Sequence, residues 1–225
     1  VYKRQDDGDA SSEGTNAGSQ MNAGQVLTVL RNPAVWLQGM IVVTAYAGFK
    51  GIDDFSLMAK DIYGFDDVQA AGVTTLAFWL RPFAAFGAGF FGDKIGGPKA
   101  ILACFAIIAG TDLIIAFGFL QPSVMWLLFT VVATTCAAIY GLRGLYFAIF
   151  KEAGIPPALT GTAAGIVSVV GYTPDIFIGP INGYLTDTYP GALGHEYFFA
   201  VLAGFAVLGF LSTLGFVWVT KRRGS

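Results

Sequence analysis

Residues 100–120 read AILACFAIIAGTDLIIAFGFL, an apolar run interrupted by one formal charge, Asp112. A hydrocarbon core roughly 30 Å thick needs about 20 helical residues to cross it. No water satisfies the backbone there, so peptide groups pair within the segment and a run of this length is a helix. The same pattern recurs outward from it. Segments at about 68–91, 124–149, 159–184 and 197–219 are similarly apolar, and another precedes them at about 34–59. The expectation is an all-α integral membrane protein, a bundle of six transmembrane helices.

Composition agrees. The chain is 55% hydrophobic and 12% charged, where a soluble domain carries about 25% charged residues. Thirty glycines suit close helix approach in a bilayer. The net charge of −2 leaves no basic surface for nucleic acid. Cys104 and Cys136 fall inside apolar segments and read as packing residues, without metal spacing. The single histidine, His195, is placed in the loop before the last segment as a solvated residue. One histidine cannot build a His-based metal site or a catalytic triad. No enzyme and no cofactor are expected.

Residues 5–25 (QDDGDASSEGTNAGSQMNAGQ) are polar and acidic and bury too little apolar surface to fold alone, so residues 1–32 read as a mostly disordered linker before a transmembrane domain at 33–223. Asn32 and Pro33 suit the cap and first turn of the first helix. Gln121-Pro122-Ser123 forms a tight turn. Pro82, Pro174 and Pro180 fall inside segments and kink them. Small-residue pairs four apart, Ala85/Gly89, Gly161/Gly165, Gly179/Gly183 and Ala200/Gly204, read as tight packing surfaces. Six spans put both ends on one side. Nine of the thirteen Lys and Arg share that side: Lys3, Arg4, Arg31, Lys94, Lys99, Lys151, Lys221, Arg222 and Arg223. The positive-inside rule makes it the cytoplasmic side of the plasma (inner) membrane. The chain opens on Val1 rather than Met, and Val1-Tyr2-Lys3-Arg4 has the character of the edge of an earlier helix. The expectation is the second half of a longer membrane protein.

The stretch Gly89-Phe90-Phe91-Gly92-Asp93-Lys94-Ile95-Gly96-Gly97-Pro98-Lys99 resembles the cytoplasmic loop signature of the major facilitator superfamily, which follows the second helix of each six-helix half. Residues 153–165, with Pro156-Pro157, resemble that family's loop between helices 10 and 11. The resemblance spans residues 1–223. It implies the C-terminal half of a twelve-helix transporter, a missing N-terminal six-helix half as partner, and secondary active transport by alternating access, as a symporter or antiporter with a coupling proton or counter-anion. It also implies that the third and sixth helices lie outside the cavity wall. In the loop itself, Gly89 and Gly92 allow close helix approach. Asp93 is able to cap a helix N-terminus. Gly89, Asp93, Lys94 and Gly96 are the residues expected to act in gating, against a plain topogenic turn.

A charge at mid-bilayer costs about 2.5–3.5 kcal/mol on insertion scales, so the intramembrane charges are the site candidates. Lys50 either lines a cavity or is neutralised by Asp53 and Asp54, three and four residues on. Arg81 has no acid at i±3 or i±4; it grips a solute or forms an interhelical pair. Asp175, beside Tyr172, carries a proton or neutralises Lys50 or Arg81. Arg143, flanked by Tyr140 and Tyr146, contacts solute or gate, snorkels, or meets Glu152. Asp112 reads as structural, facing the second or fourth segment. The expected solute contacts are Lys50, Arg81, Arg143, Tyr172 and Asp175. Their excess of cations tilts the reading toward a small anionic solute, with Asp53 and Asp54 able to cancel it. A self-contained six-helix pore or homodimeric half-transporter is the alternative.

Overall fold

A computed structural model describes residues 23–224. The linker reading of residues 1–22 lies outside them. Residues 23–30, also assigned to the linker, form a helix, α1 (Ala23–Leu30), with Val29 buried. The rest is a helical bundle: α2 (Pro33–Gly51), α3 (Asp54–Tyr63), α4 (Asp67–Ile95), α5 (Gly97–Ala116), α6 (Met125–Leu145), α7 (Thr160–Gly171), α8 (Pro174–Thr188) and α9 (Ala192–Gly224). No strand occurs among the described residues.

Local chemistry accounts for the ends. The Asn32 side chain accepts from the Ala34 amide at the start of α2, with Pro33 in the first turn, as the sequence predicts. Asp66 caps α4 through a capping box with Gln69, satisfying donors that the helix leaves open. Gln121-Pro122-Ser123 becomes a short 3-10 turn at Pro122–Val124.

Five stretches are long and apolar enough to cross a membrane: Pro33–Tyr63, Gly97–Ala116, Pro122–Leu145, Pro157–Thr188 and Ala192–Arg222. The expected second span, α4, is 29 residues long but does not join them. Arg81, Pro82 and its polar ends lower its mean hydropathy. Among the described residues the protein is therefore an all-helical membrane protein with five stretches able to span by length and composition, and α4, the expected second span, falls outside that set.

Two expected helices are interrupted in their i→i−4 hydrogen-bond ladder, while the residues between keep helical or near-helical dihedrals. The first stops at Gly51 and restarts at Asp54; the fifth stops at Gly171 and restarts at Pro174. Pro174 explains the second break: it has no N–H to continue the ladder and sits at the first turn of α8. Pro82 and Pro180 lie inside continuous helices.

The core forms where α2, α5, α6 and α9 meet, around Ile41, Phe105, Ile139, Phe198 and Phe216. Glycines permit the closest approaches, and of the predicted ones only Gly92 is among them. A Cβ at Gly171 would collide with Val42, and one at Gly209 with Phe105 and Thr44. Gly92 lies against Leu145, so its predicted role in close approach is met by α6. Gly89, Gly161, Gly165, Gly179, Gly183 and Gly204 have open space where a Cβ would be. Those small-residue pairs point away from the described bundle, and the expectation that they pack tightly within it is corrected.

Candidate functional site: a polar cluster where two broken helices meet

The breaks in α2–α3 and α7–α8 bring polar side chains together from distant parts of the chain. Lys50 Nζ lies 3.5 Å from Asp53 and 3.5 Å from Asp175. Tyr46 Oη donates to Asp175 at 2.9 Å. The Tyr46 and Tyr172 rings meet edge to face with centroids 4.8 Å apart. Lys50 is thus neutralised by Asp53, three residues on, and by Asp175 across on α8, but not by Asp54. Asp175 is 50% exposed and Lys50 30%, so the pair lies at the surface of the described bundle. Such pairs contribute about 0–1 kcal/mol and exchange partners readily.

Arg143 enters from α6. Its guanidinium carbon lies 4.0 Å from the Phe49 ring centroid and 5.6 Å from that of Tyr46. It stacks on aromatic faces rather than meeting Glu152, whose carboxylate lies beside Gly97, where burial pushes its pKa up. One guanidinium nitrogen, Nη1, is buried without a hydrogen-bond partner. Tyr140, three residues earlier on the same helix face, has its hydroxyl in the same state. Each such unpartnered polar group costs about 1–3 kcal/mol when buried.

Arg81 approaches from α4, its guanidinium carbon 5.8 Å from the Tyr140 ring centroid. Tyr140 in turn lies 6.4 Å from Phe49, centroid to centroid. Lys50, Arg81, Arg143, Tyr172 and Asp175 therefore belong to one neighbourhood, bridged by Tyr46, Phe49 and Tyr140. Sequence reasoning passed over Tyr46 and Phe49. The i, i+3, i+4 row Tyr46, Phe49, Lys50, Asp53 was the available signal.

The loop residues do not reach this cluster. Asp93, Lys94 and Gly96 are exposed at the far end of α4. The residue before α5 is Gly96, with φ +92°, and no side chain caps that helix, so Asp93 does not act there as a cap. Asp112 is buried on α5, with Oδ2 unpartnered. It is separate from the cluster, and α5 packs chiefly against α9.

Two further readings are corrected. Asp54 does not neutralise Lys50. The break turns it inward, where its Oδ2 lies 2.8 Å from His195 Nδ1 and its Oδ1 accepts from Asn182 at 3.0 Å. His195 is not solvated in a loop. The last helix begins at Ala192, earlier than predicted, and the ring is fully buried between Asp54 and Asp61. Among the described residues no group of histidine, cysteine and carboxylate side chains is arranged to hold a metal ion.

Fold and composition together define a helical membrane protein that carries a cluster of charged and aromatic side chains on its α2, α4, α6 and α8 helices. The chain is 28% identical over 186 residues to "Inner membrane protein YihN" of Escherichia coli (strain K12), covering 81% of this chain and 44% of that protein. It is 28% identical over 205 residues to "Inner membrane protein YqcE" of the same organism, covering 88% of this chain and 47% of that protein. The chain thus spans about half the length of the curated relatives it matches. No family model matches it.

Proposed function

We propose that this chain is the C-terminal six-helix half of a major-facilitator-type secondary transporter of the inner membrane, moving a small anionic solute by alternating access. One observation carries the reading. Arg143 sits unpaired beside a half-exposed ion pair, with a buried guanidinium nitrogen and the Tyr140 hydroxyl both lacking partners. Lys50, Arg81 and Arg143 supply three cations against Asp53 and Asp175, because Asp54 is engaged by His195. One cation remains in excess, which suits a carboxylate or phosphate; a guanidinium takes either in a bidentate fork.

Three features support the larger assembly. The cluster draws on α2, α4, α6 and α7–α8 and on neither α5 nor α9, as the family's arrangement has it. Discontinuous helices at a membrane site are a recurring transporter device. The Pro157–Thr188 stretch is only 22% buried, leaving a face for a partner half. In this reading α4 crosses the membrane as the sixth span, its Arg81 sheltered by the cavity, and the 94–99 loop is cytoplasmic.

The test is uptake of organic acids, sugar acids and organophosphates by proteoliposomes holding the full-length protein. Saturable uptake of one class, lost in Arg143→Ala with folding retained, is the expected result. Uptake that requires no anionic group would overturn the assignment. Uptake by residues 1–225 alone would favour the self-contained or homodimeric carrier instead. A single cysteine at position 97 should resist impermeant reagents from outside sealed cells; labelling there would reverse the orientation.

A further inference from the structure

We propose that Asp54, His195 and Asp61 form a proton-binding latch that fastens α3, the segment beyond the first helix break, to α9. The site is separate from the solute cluster and does not depend on what that cluster binds.

The argument begins with hydrogen-bond counting. His195 Nδ1 lies 2.8 Å from Asp54 Oδ2, and Nε2 lies 3.0 Å from Asp61 Oδ2. An ionised carboxylate only accepts, whereas a neutral imidazole has one donor nitrogen and one acceptor nitrogen. With both carboxylates ionised and the ring neutral, one of the two contacts sets acceptor against acceptor. With one proton more, both ring nitrogens donate and both contacts close. The uptake is balanced: one proton adds to the ring, and the charge of the three groups goes from −2 to −1. Burial makes the outcome matter, since His195 and Asp54 side chains are 0% exposed and an unmatched contact there has no water to repair it.

The surroundings leave the task to these groups. Among the described residues, Asp54 and Asp61 of α3 are the charged groups that interact with the ring. From α8, Asn182 donates to the other oxygen of Asp54 and brings no charge. On α9 itself, Glu196 turns to Gly118 at the end of α5, and Tyr197 packs on Tyr189. Lys60 is drawn away to Asp67, and Lys50 to Asp53 and Asp175. Asp61 is 37% exposed, so it gives the proton its route from water to the ring.

Position gives the latch its consequence. Asp54 is the first residue of α3, directly after the break, and Asn182 lies on α8 beyond the other break. α3 meets α9 through the protonated node, Asn182 ties α8 to the same Asp54, and α8 packs on α9 separately through Phe177 and Phe205. Loss of the proton loosens α3 from α9.

Two measurements test this without any solute, so their failure is distinct from failure of the transport reading. The protein is reconstituted in lipid nanodiscs with imidazole-15N histidine, and the His195 signals are assigned by difference against His195→Gln. Both ring nitrogens should carry protons at about pH 7. A ring with one unprotonated nitrogen at that pH would overturn the latch. Amide exchange, corrected for intrinsic rate, should then become about tenfold faster in residues 54–63 when the ring loses its proton, and likewise in Asp61→Ala, which removes the second acceptor at a half-exposed position that spares the fold. Protection that is the same in wild type and Asp61→Ala, at every pH, would show that the contacts hold nothing together.

Discussion

Asp53 and Asp54 are consecutive in sequence and enter opposite regimes. The Asp53 side chain is 68% exposed and lies 3.5 Å from Lys50. Asp54 is buried, with both carboxylate oxygens matched by Asn182 and His195. On an unbroken helix both would flank the row of Lys50; the interruption after Gly51 releases Asp54 from it. The first cluster keeps its charges loosely held and partly hydrated, so a solute can displace one partner. The second holds every group in a fixed pairing, so its response is to break or stay. Exposure, more than residue type, separates a binding site from a structural node.

The largest effect should come from the buried side of that comparison. Asp54→Ala leaves His195 and Asn182 without their partner, and removing one member of a buried pair costs about 3–5 kcal/mol. Asp53→Ala, one residue earlier, should change stability by no more than about 1 kcal/mol. Thermal and denaturant unfolding of the two variants side by side is the measurement. Equal losses would break the distinction between the clusters.

Next in size is an effect on binding rather than on folding. Arg143→Ala should lower affinity for an anionic solute about 10- to 100-fold while stability stays within about 1 kcal/mol, since the guanidinium has no ion-pair partner to orphan. Arg143→Lys should recover little, because an ammonium lacks the planar fork. Arg81→Ala should follow the same pattern more weakly, its contact with Tyr140 being longer at 5.8 Å. Unchanged affinity with a large loss of stability in either variant would move that arginine from the binding cluster to the structural one.

A third contrast concerns the breaks themselves. Gly171 ends α7, and an added methyl there meets Val42, a β-branched residue with little freedom to yield. Gly171→Ala should cost about 1–3 kcal/mol by overpacking and disturb the Tyr46–Tyr172 contact. Gly161→Ala, on the same helix with open space around it, should be neutral or slightly stabilising. Matching losses would mean that the outward glycines are covered by chain outside the described residues.

Most of the helical layout was legible because it rests on apolar run length and on punctuation such as Asn32-Pro33 and Pro122. The helix breaks were half legible. Pro174 announced one, but displaced by a residue or two from where the chain yields. Nothing as strong as proline marks Gly51-Ile52-Asp53, where tertiary contacts of Asp54 decide the matter. Lys50, Arg81, Arg143 and Asp175 stood out because a charge in an apolar run is conspicuous alone. His195 did not, because its meaning depends on partners 141 and 134 positions away. The outward glycine pairs misled for a related reason: spacing shows that two small residues share a face, not which neighbour that face meets.

The smallest effect should come from Lys60, one residue before Asp61. Its ammonium lies 2.6 Å from Asp67, closer than any contact in the other two clusters, yet Asp67 is 89% exposed and Lys60 43%. Distance alone would rank this pair first. Hydration reverses the ranking, because two wet side chains lose mobility in pairing and gain little Coulomb energy in return. Asp67 is held below the usual carboxylate range by this ammonium, so whatever the pair contributes is present at neutral pH and fades as the carboxylate takes a proton in acid. Lys60→Ala should therefore leave the melting midpoint within about 1 °C of wild type at neutral pH. The small difference should vanish at about 0.5 M salt, where screening is nearly complete over a few ångström. A larger, salt-independent drop would mean that Lys60 also steadies Asp61, and the latch would then have to include it.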